Sequence, residues 1–299
     1  MSLPSHGRYD YRPITRRPDF TWPNGARLAV YVALGVEDYR FGEGLTENLL
    51  AGASKPDFVN TSWRDYGNRV GGFRLIDRLA SRGIAPAMLL NTAVYDTAPD
   101  LLDAARAAGA EMVGHGITNS DTLAGMAEPE ERAYLDAVAA RIAHEEGTPP
   151  RGWSSPWLAQ TERTFDLLGE AGYGYVLDLR LDDQPVWLNT RAKPLLALPY
   201  ALELNDSSTI IGRQAGADEF ADMIVNEFDE LLLASADQPL VMSVVVHSFI
   251  SGAPFRLKTL TRALDHIVAH RNDVWLTTPG RIAEAYGARA PGGAPNTSD

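Results

Sequence analysis

The chain alternates continuous apolar runs with stretches whose apolar residues recur at helical spacing. Residues 27–36 and 239–246 are almost entirely apolar, which is typical of strands buried on both faces of a parallel sheet. The helical stretches between such runs end at glycines, as at Gly83 and Gly147. The pattern therefore predicts an α/β protein in which strands and helices follow one another along the chain.

About seven or eight such alternations occur between residues 27 and 287, without a linker or a low-complexity stretch. They predict one catalytic domain built as a (β/α) barrel. The predicted strands are residues 27–36, 84–90, 111–115, 151–158, 173–179, 195–201, 239–246 and 274–277. Residues 1–26 contain several prolines and are expected to form an irregular arm over the barrel. We expect residues 288–299 to be a disordered tail.

One long segment interrupts the pattern. Between residues 39 and 63 the periodicity fails, and Gly42, Gly44, Gly52 and Pro56 break up any regular element. Loops of this length are uncommon inside a compact domain and often cover a functional site. We therefore expect a lid over a substrate site, with an insertion of no function as the alternative.

Composition excludes several kinds of partner. The chain has 39 acidic and 27 basic residues, a net charge of −12 and no Lys/Arg-rich run, so neither nucleic acid nor an anionic membrane is expected to bind. Cysteine is absent, which leaves histidine and carboxylate oxygen as possible metal ligands. No stretch is apolar enough for a signal peptide or a membrane span, and we therefore expect a soluble, cytoplasmic protein.

Ionisable residues follow three of the predicted strands. Glu37 and Asp38 come directly after the first strand, His115 ends a short apolar run between two glycines, and His247 follows residues 240–246. The carboxyl ends of parallel strands meet at one edge of a sheet, where active sites of such folds lie. An acidic pair and two histidines at one edge are typical of acid–base catalysis.

The chemistry of each residue limits its role. Glu37 and Asp38 can share a site only if the strand ends before them, because successive strand residues face opposite sides. One could then bind a metal while the other acts as a base, or both could be surface carboxylates. His247 could transfer a proton at neutral pH, or merely cap a buried strand. His115 could bind a metal, but Asn119, four residues later, is a poor zinc ligand.

Other polar and aromatic residues could contact a substrate. Aromatic side chains near predicted strand ends could form a wall for a ring-shaped molecule or belong to the core, namely Trp153, Trp157, Trp187 and Tyr200. Two polar clusters could bind substrate atoms or cap turns, namely Asp182 and Asp183, and Glu203, Asn205 and Asp206. The remaining histidines are expected to be structural, namely His6, His144, His266 and His270.

Seven motifs together resemble the polysaccharide deacetylase (NodB-homology) superfamily, and most closely its branch of cofactor-independent bacterial allantoinases. The resemblance covers about residues 22–283. The motifs are VALGVED (32–38), YGNRVGGFRLIDRL (66–79), MVGHGITNSD (112–121), RGWSSPW (151–157), DLRLDDQPVWL (178–188), LPYALELND (198–206) and HSFISGAPFRLKTL (247–260).

The resemblance implies a distorted (β/α)7-type barrel and hydrolysis of a carbon–nitrogen bond other than a peptide bond. In the deacetylases the acidic pair supplies a base and a metal ligand, which match Glu37 and Asp38. A metal-binding histidine of that family matches His115, and its general acid matches His247. The residues then expected to contact substrate are Asn119, Trp153, Ser154, Trp157, Asp183, Glu203 and Asp206.

Two departures from the family pattern concern the metal. Asn119 stands where the second metal-binding histidine is usual, and the arginine of the third motif falls near Ser154. Both departures are similar to the allantoinase-like branch, in which a metal is not required. The resemblance therefore implies either no cofactor or a single divalent metal, zinc, held weakly by Asp38 and His115.

These observations predict a hydrolase for a small cytosolic amide, cyclic ureide of the allantoin type, or imide. The first alternative is a metal-dependent deacetylase of N-acetyl sugars or polysaccharides. The second is an inactive barrel that only binds a carbohydrate or a ureide. The expected partner is a small-molecule substrate, and related proteins suggest a homo-oligomer.

Overall fold

The structure, a computed structural model, describes residues 5–289, and these residues contain nine strands and nine α-helices. The strands are β1 (Leu28–Val36), β2 (Ala87–Leu90), β3 (Glu111–Gly114), β4 (Gly152–Trp153), β5 (Tyr175–Val176), β6 (Val186–Leu188), β7 (Leu195–Ala197), β8 (Leu240–His247) and β9 (Val274–Leu276). The helices are α1 (Phe58–Tyr66), α2 (Gly72–Ala80), α3 (Val94–Thr97), α4 (Pro99–Ala107), α5 (Glu128–Glu146), α6 (Thr164–Ala171), α7 (Ala217–Ala234), α8 (Pro254–Ala269) and α9 (Pro279–Arg289).

The strands form one curled sheet in the order β6-β7-β5-β4-β3-β2-β1-β8, and β9 also pairs with β1. All pairs are parallel except β6 with β7. Regular pairing does not join the two ends of this order. Instead, a single parallel bridge links Asn205, in the segment after β7, to Val245 of β8. The predicted α/β class and distorted barrel are confirmed. The two ends of the sheet meet through this bridge and not through a regular strand pair.

Strand β1 runs through the centre of the molecule and is buried along its whole length. Its alternate residues belong to two different apolar layers, because successive side chains of a strand face opposite sides. Leu28, Val30 and Val32 pack in the layer that contains the helices. Ala29 and Tyr31 pack in the layer inside the curl. The continuous apolar run in the sequence follows from this two-sided burial.

Three local predictions are corrected by the structure. The predicted strand 151–158 is regular only at Gly152–Trp153, because Pro156 lacks an N–H and Trp157 takes a positive φ of 60°. The predicted loop 39–63 already becomes helix α1 at Phe58, where the Asp57 side chain caps the N–H of Asn60 at 3.0 Å. Strand β6, within the polar cluster after β5, was missed because it is only three residues long.

The segment before β1 lies against the barrel. The Arg8 guanidinium bonds both carboxylate oxygens of Asp166 on α6 at 2.8 and 2.9 Å. Trp22 is fully buried and donates its indole N–H to the carbonyl of Leu240 at 2.9 Å. The division at residue 26 stays a prediction, and the predicted tail at 288–299 lies almost wholly outside the described residues. None of the described helices combines the length and the apolar character that crossing a membrane requires.

Candidate active site

Three of the four predicted catalytic residues meet at the carboxyl ends of β1, β3 and β8. Glu37 Oε1 lies 3.6 Å from Nε2 of His115 and 3.4 Å from Nε2 of His247. All three side chains are buried. The approach depends on Gly35, which pairs with His247 across β1 and β8, because a β-carbon there would lie 2.5 Å from the imidazole ring. Sequence positions far apart thus form one cluster of a carboxylate and two imidazoles.

The fourth predicted residue, Asp38, points away from this cluster. Its carboxylate accepts a hydrogen bond from the Thr97 hydroxyl at 2.8 Å, and its backbone N–H donates to the Asn91 side chain at 2.9 Å. Glu37 and Asp38 are consecutive residues whose side chains leave the backbone on different sides. We expected both carboxylates to lie in one site, but only that of Glu37 lies in this cluster.

The residues that match metal ligands of the resembled family do not fit a zinc ion. Zinc sites in proteins need three or four nitrogen, sulfur or carboxylate ligands around one point. Asp38 bonds Thr97 instead, and Asn119 offers an amide whose nitrogen donates to the Tyr39 hydroxyl at 2.8 Å. Within residues 5–289, no group of three or more His, Cys, Asp or Glu side chains is placed to hold a metal. The side chains of Asp38 and Asn119 therefore do not converge with His115 on one metal position.

Asp206 holds His247 from behind. This fully buried carboxylate accepts two hydrogen bonds from His247, one from Nδ1 of the ring at 2.6 Å and one from the backbone N–H at 2.9 Å. It also accepts the N–H and the hydroxyl of Ser251, at 3.1 and 2.5 Å. With Nδ1 bonded in this way, Nε2 is the nitrogen that faces Glu37. Asp206, predicted to contact substrate, is placed as the partner of His247.

The charges in the cluster stabilise one another. Burial alone would disfavour the imidazolium of His247, but Glu37 and Asp206 outweigh burial and raise the pKa of His247 well above its ordinary value. Burial also opposes ionisation of Glu37, but the positive charge of His247, whose Nε2 lies 3.4 Å from Oε1, holds the pKa of this carboxyl below its usual range. At neutral pH the site therefore contains a carboxylate beside an imidazolium.

The other groups around Glu37 are fixed by hydrogen bonds. Nδ1 of His115 lies 2.8 Å from the carbonyl oxygen of Ser154, which can only accept, so Nδ1 carries a proton and Nε2 faces Glu37. The Tyr39 hydroxyl donates to Oε2 of Glu37 and accepts from the Asn119 amide. Burial and the charge of Glu37 raise the pKa of Tyr39 well above its ordinary value, so the phenol stays protonated. These contacts leave the Glu37 carboxylate in one orientation.

The cluster opens into a cavity of about 160 Å³. At about 30 Å³ for each water molecule in the liquid, this space holds roughly five waters. It is also below the volume of about 300 Å³ at which pockets for drug-sized ligands begin. Glu37, His115 and His247 line it, together with Glu47, Asn119, Ser155, Trp157, Tyr200 and Ser207. The size and the polar lining suit a small polar molecule.

The remaining predicted contact residues separate into two groups. Asn119 and Trp157 line the cavity, and the Trp157 indole N–H donates to the Asn119 carbonyl at 2.6 Å. Trp153 is fully buried, with its ring centroid 5.6 Å from that of Tyr173. Asp183 forms an ion pair with Arg180 at 2.7 Å and lies outside the cavity lining.

Two further predicted residues are also outside this lining. Glu203 has a side chain 73% exposed and lies 3.8 Å from Arg213. Ser154 contributes its backbone carbonyl to His115, while its side chain is fully buried and its hydroxyl lies 3.5 Å from the Leu177 carbonyl. Only part of the predicted contact set therefore reaches the cavity.

The sequence did not single out Glu47 or Tyr39. Glu47 lies in the predicted lid, lines the cavity and accepts a hydrogen bond from the Ser207 hydroxyl at 2.8 Å. Burial raises the pKa of Glu47 to about 7. Spacing alone cannot distinguish Glu47 from the exposed Glu43 on the same loop. Tyr39 could have been noticed as a hydroxyl two residues beyond Glu37.

The chain is similar in sequence and structure to several known proteins. No family model matches the chain. A protein of Schizosaccharomyces pombe named "Putative polysaccharide deacetylase" is 23% identical over 309 residues, which cover 94% of this chain and 95% of that protein. The crystal structure of "Puue Allantoinase" is 26% identical with a TM-score of 0.81, and the match covers 94% of this chain and 99% of that chain.

A "probable Polysaccharide deacetylase" from Pseudomonas aeruginosa PAO1 is 25% identical, with a TM-score of 0.82 and the same coverage of both chains, 94% and 99%. These matches extend over nearly the whole length of each protein. The resemblance found in the motifs is therefore confirmed: over nearly its whole length the chain is similar to proteins named as polysaccharide deacetylases and as an allantoinase.

Proposed function

We propose that this protein hydrolyses a carbon–nitrogen bond of a small cyclic ureide, amide or imide. Its relatives are named as deacetylases and as an allantoinase, which are hydrolases of non-peptide carbon–nitrogen bonds. The observation that carries the choice of a small substrate is the 160 Å³ cavity around Glu37, His115 and His247. A sugar ring within a polymer would need a longer groove than this space offers.

In the first step, Glu37 takes a proton from a water molecule as the water oxygen attacks the substrate carbonyl carbon. The carboxylate is ionised at neutral pH and held in place by Tyr39. The lowered pKa keeps Glu37 ionised before the first step, and the pKa of the carboxyl rises in the second step, when His247 gives up the positive charge that lowers it. His115 Nε2, which lies 3.6 Å from Oε1 of Glu37, can accept a hydrogen bond from the same water.

In the second step, His247 protonates the leaving nitrogen. The imidazolium gives its Nε2 proton to that nitrogen as the carbon–nitrogen bond of the tetrahedral intermediate breaks. Asp206 keeps the ring oriented through Nδ1 and stabilises the imidazolium before the transfer. The products are a carboxylic acid group and a free amine or ureide nitrogen.

The cycle closes by a proton transfer within the site. After hydrolysis Glu37 carries the proton of the water and His247 is neutral. Their facing atoms, Oε1 and Nε2, are 3.4 Å apart, a separation that a small approach converts into a hydrogen bond. The proton then returns to the imidazole, and the starting charges are restored.

The test is an assay of the purified protein on allantoin, hydantoin and succinimide in parallel with chitin oligomers. We expect turnover of at least one cyclic compound, no release of acetate from the oligomers, and no loss of activity after dialysis against a chelator. Glu37→Gln is the matched inactive variant, because it keeps the shape of the side chain.

Deacetylation of the oligomers without turnover of any cyclic compound would contradict the proposal and favour a sugar deacetylase. Binding of allantoin without any turnover would favour the inactive binding barrel. The predicted cytoplasmic location and homo-oligomeric state stay predictions.

A further inference from the structure

One acidic residue of the loop between β1 and α1 reaches the cavity. Among residues 38–57 this is Glu47, whose carboxylate accepts a hydrogen bond from the Ser207 hydroxyl at 2.8 Å. The mechanism above assigns no task to it. Because Glu47 lines the same cavity as Glu37 and His247, a molecule bound there would lie beside its carboxylate.

The backbone on both sides of Glu47 is fixed. The Leu45 N–H donates to the Ser120 carbonyl at 3.1 Å, next to Gly44. Gly44 has a φ of +66°, and a β-carbon there would lie 2.2 Å from that same carbonyl oxygen. The Glu47 carbonyl accepts from the guanidinium of the buried Arg64 at 2.5 Å. The loop therefore holds the Glu47 side chain in the cavity.

The Glu47 carboxylate has few partners of its own. Oε1 accepts the Ser207 hydroxyl, while Oε2 accepts no hydrogen bond from any residue in the range 5–289. The Asp206 carboxylate, by contrast, accepts four. A carboxylate offers about four acceptor positions, and the half-buried Glu47 on the cavity wall has most of them unfilled by the described residues. Glu47 thus has acceptor capacity available to a molecule in the cavity.

We propose that Glu47 recognises the substrate by accepting a hydrogen bond from one of its N–H groups. This inference rests on the proposed function, because it adds a contact to the same substrate site. With Glu37 and Glu47 both on its wall, the cavity favours an uncharged molecule rich in N–H groups, such as a cyclic ureide. It disfavours a substrate that carries a carboxylate next to the bond that breaks.

The hydrogen bond from the substrate N–H to Glu47 should weaken as the pH falls. Burial raises the pKa of Glu47 to about 7, with Glu37 and Asp206 acting in the same direction and His247 and Ser207 in the opposite one. The carboxylate that accepts the N–H is present above this pKa and is lost as the pH falls through it. KM of the wild-type protein therefore rises on the acidic side of neutrality.

The test is a binding cycle with hydantoin and its two N-methyl derivatives, measured by calorimetry on the wild-type protein and on Glu47→Gln. We expect Glu47→Gln to weaken hydantoin binding by about 10- to 100-fold, the effect of losing a hydrogen bond to a charged group. One N-methyl derivative should bind both proteins equally weakly, because it lacks the N–H that Glu47 accepts. The KM of Glu47→Gln should lose the rise below neutral pH.

Glu43→Gln is the control on the same loop, since its side chain is 75% exposed and lies 3.8 Å from Arg40 in an ion pair at the surface. We expect it to bind hydantoin within twofold of the wild type. Glu47→Asp is a second variant, whose side chain is shorter but still ionisable, so the pH dependence of KM should remain.

Equal binding of hydantoin by wild type and Glu47→Gln would overturn the inference, and so would the absence of hydantoin binding by the wild type. Turnover is measured separately. A protein that binds hydantoin through Glu47 but hydrolyses no cyclic compound would retain this inference and refute the proposed function.

Discussion

Two histidine–aspartate pairs in this protein have the same contact distance and different surroundings. Nδ1 of His247 lies 2.6 Å from Asp206, and Nε2 of His266 on α8 lies 2.6 Å from Asp229 on α7. The side chains of the first pair are 9% and 0% exposed, and those of the second are 34% and 54% exposed. Distance alone therefore does not distinguish a candidate catalytic pair from a surface pair.

The difference lies in burial and in a third charge. In the buried pair, Glu37 faces the other ring nitrogen of His247, and water is largely excluded, so the charges act on one another strongly. In the exposed pair, water and salt screen the contact. The fold thus gives His247 two features that His266 lacks, burial and a second carboxylate. The following experiments compare the two pairs.

The largest difference is expected between His247→Gln and His266→Gln. Glutamine retains a polar side chain but cannot deliver a proton, so His247→Gln should lower kcat by about 10²- to 10⁴-fold. His266→Gln should leave kcat within about twofold. Steady-state assays on the cyclic substrate identified for the wild type provide the measurement. Equal effects at the two sites would remove the distinction between the pairs.

A smaller difference is expected between Asp206→Asn and Asp229→Asn. Removing Asp206 takes away one of the two carboxylates that raise the pKa of His247. The imidazolium is the active form, so the alkaline limb of the kcat/KM profile should move to lower pH. Asp229→Asn should leave this limb in place.

The same two variants should also differ in stability. Asp206→Asn breaks a buried charged network, which should cost about 3 kcal/mol of unfolding free energy. The part due to His247 is fully present below about pH 6.5, the unfolded-state pKa of histidine, and is lost as the pH rises through the raised folded-state pKa. Asp229→Asn should change stability by less than about 0.5 kcal/mol. Urea unfolding of both variants at pH 6 and pH 9 measures these losses, and an equal loss in the two variants would contradict the prediction.

The smallest effects are expected at two acidic residues that the sequence favoured as substrate contacts. Asp183 pairs with Arg180, and Glu203 is largely exposed, and neither lines the cavity. Asp183→Asn and Glu203→Gln should each change KM and kcat by less than about twofold. A tenfold rise in KM for either variant would place that residue in the substrate site after all.

Much of the fold follows from the sequence because the strands are buried on both faces. β1 and β8 are continuous apolar runs, and Glu37 and His247 stand out at their ends for that reason. His115 is distinguished in the same way by the glycines beside it. Where strands are only two residues long, as at β4 and β5, the pattern overestimates their length.

The parts of the site that the sequence could not supply depend on long-range geometry. The partnership of Asp206 with His247 is set by how the segment after β7 meets β8 at the Asn205–Val245 bridge. The direction of Asp38 depends on backbone angles just beyond β1. No local spacing contains this information, although the residue types themselves were recognisable.

The central claim is that His247 is an imidazolium at neutral pH because it lies between Glu37 and Asp206. An NMR titration of the His247 ring nitrogens, with ¹⁵N-labelled histidine and His247→Gln for assignment, tests it directly. We expect the signals of a doubly protonated His247 ring to persist at pH 8. A His247 ring that is neutral at pH 7.5 would contradict the account.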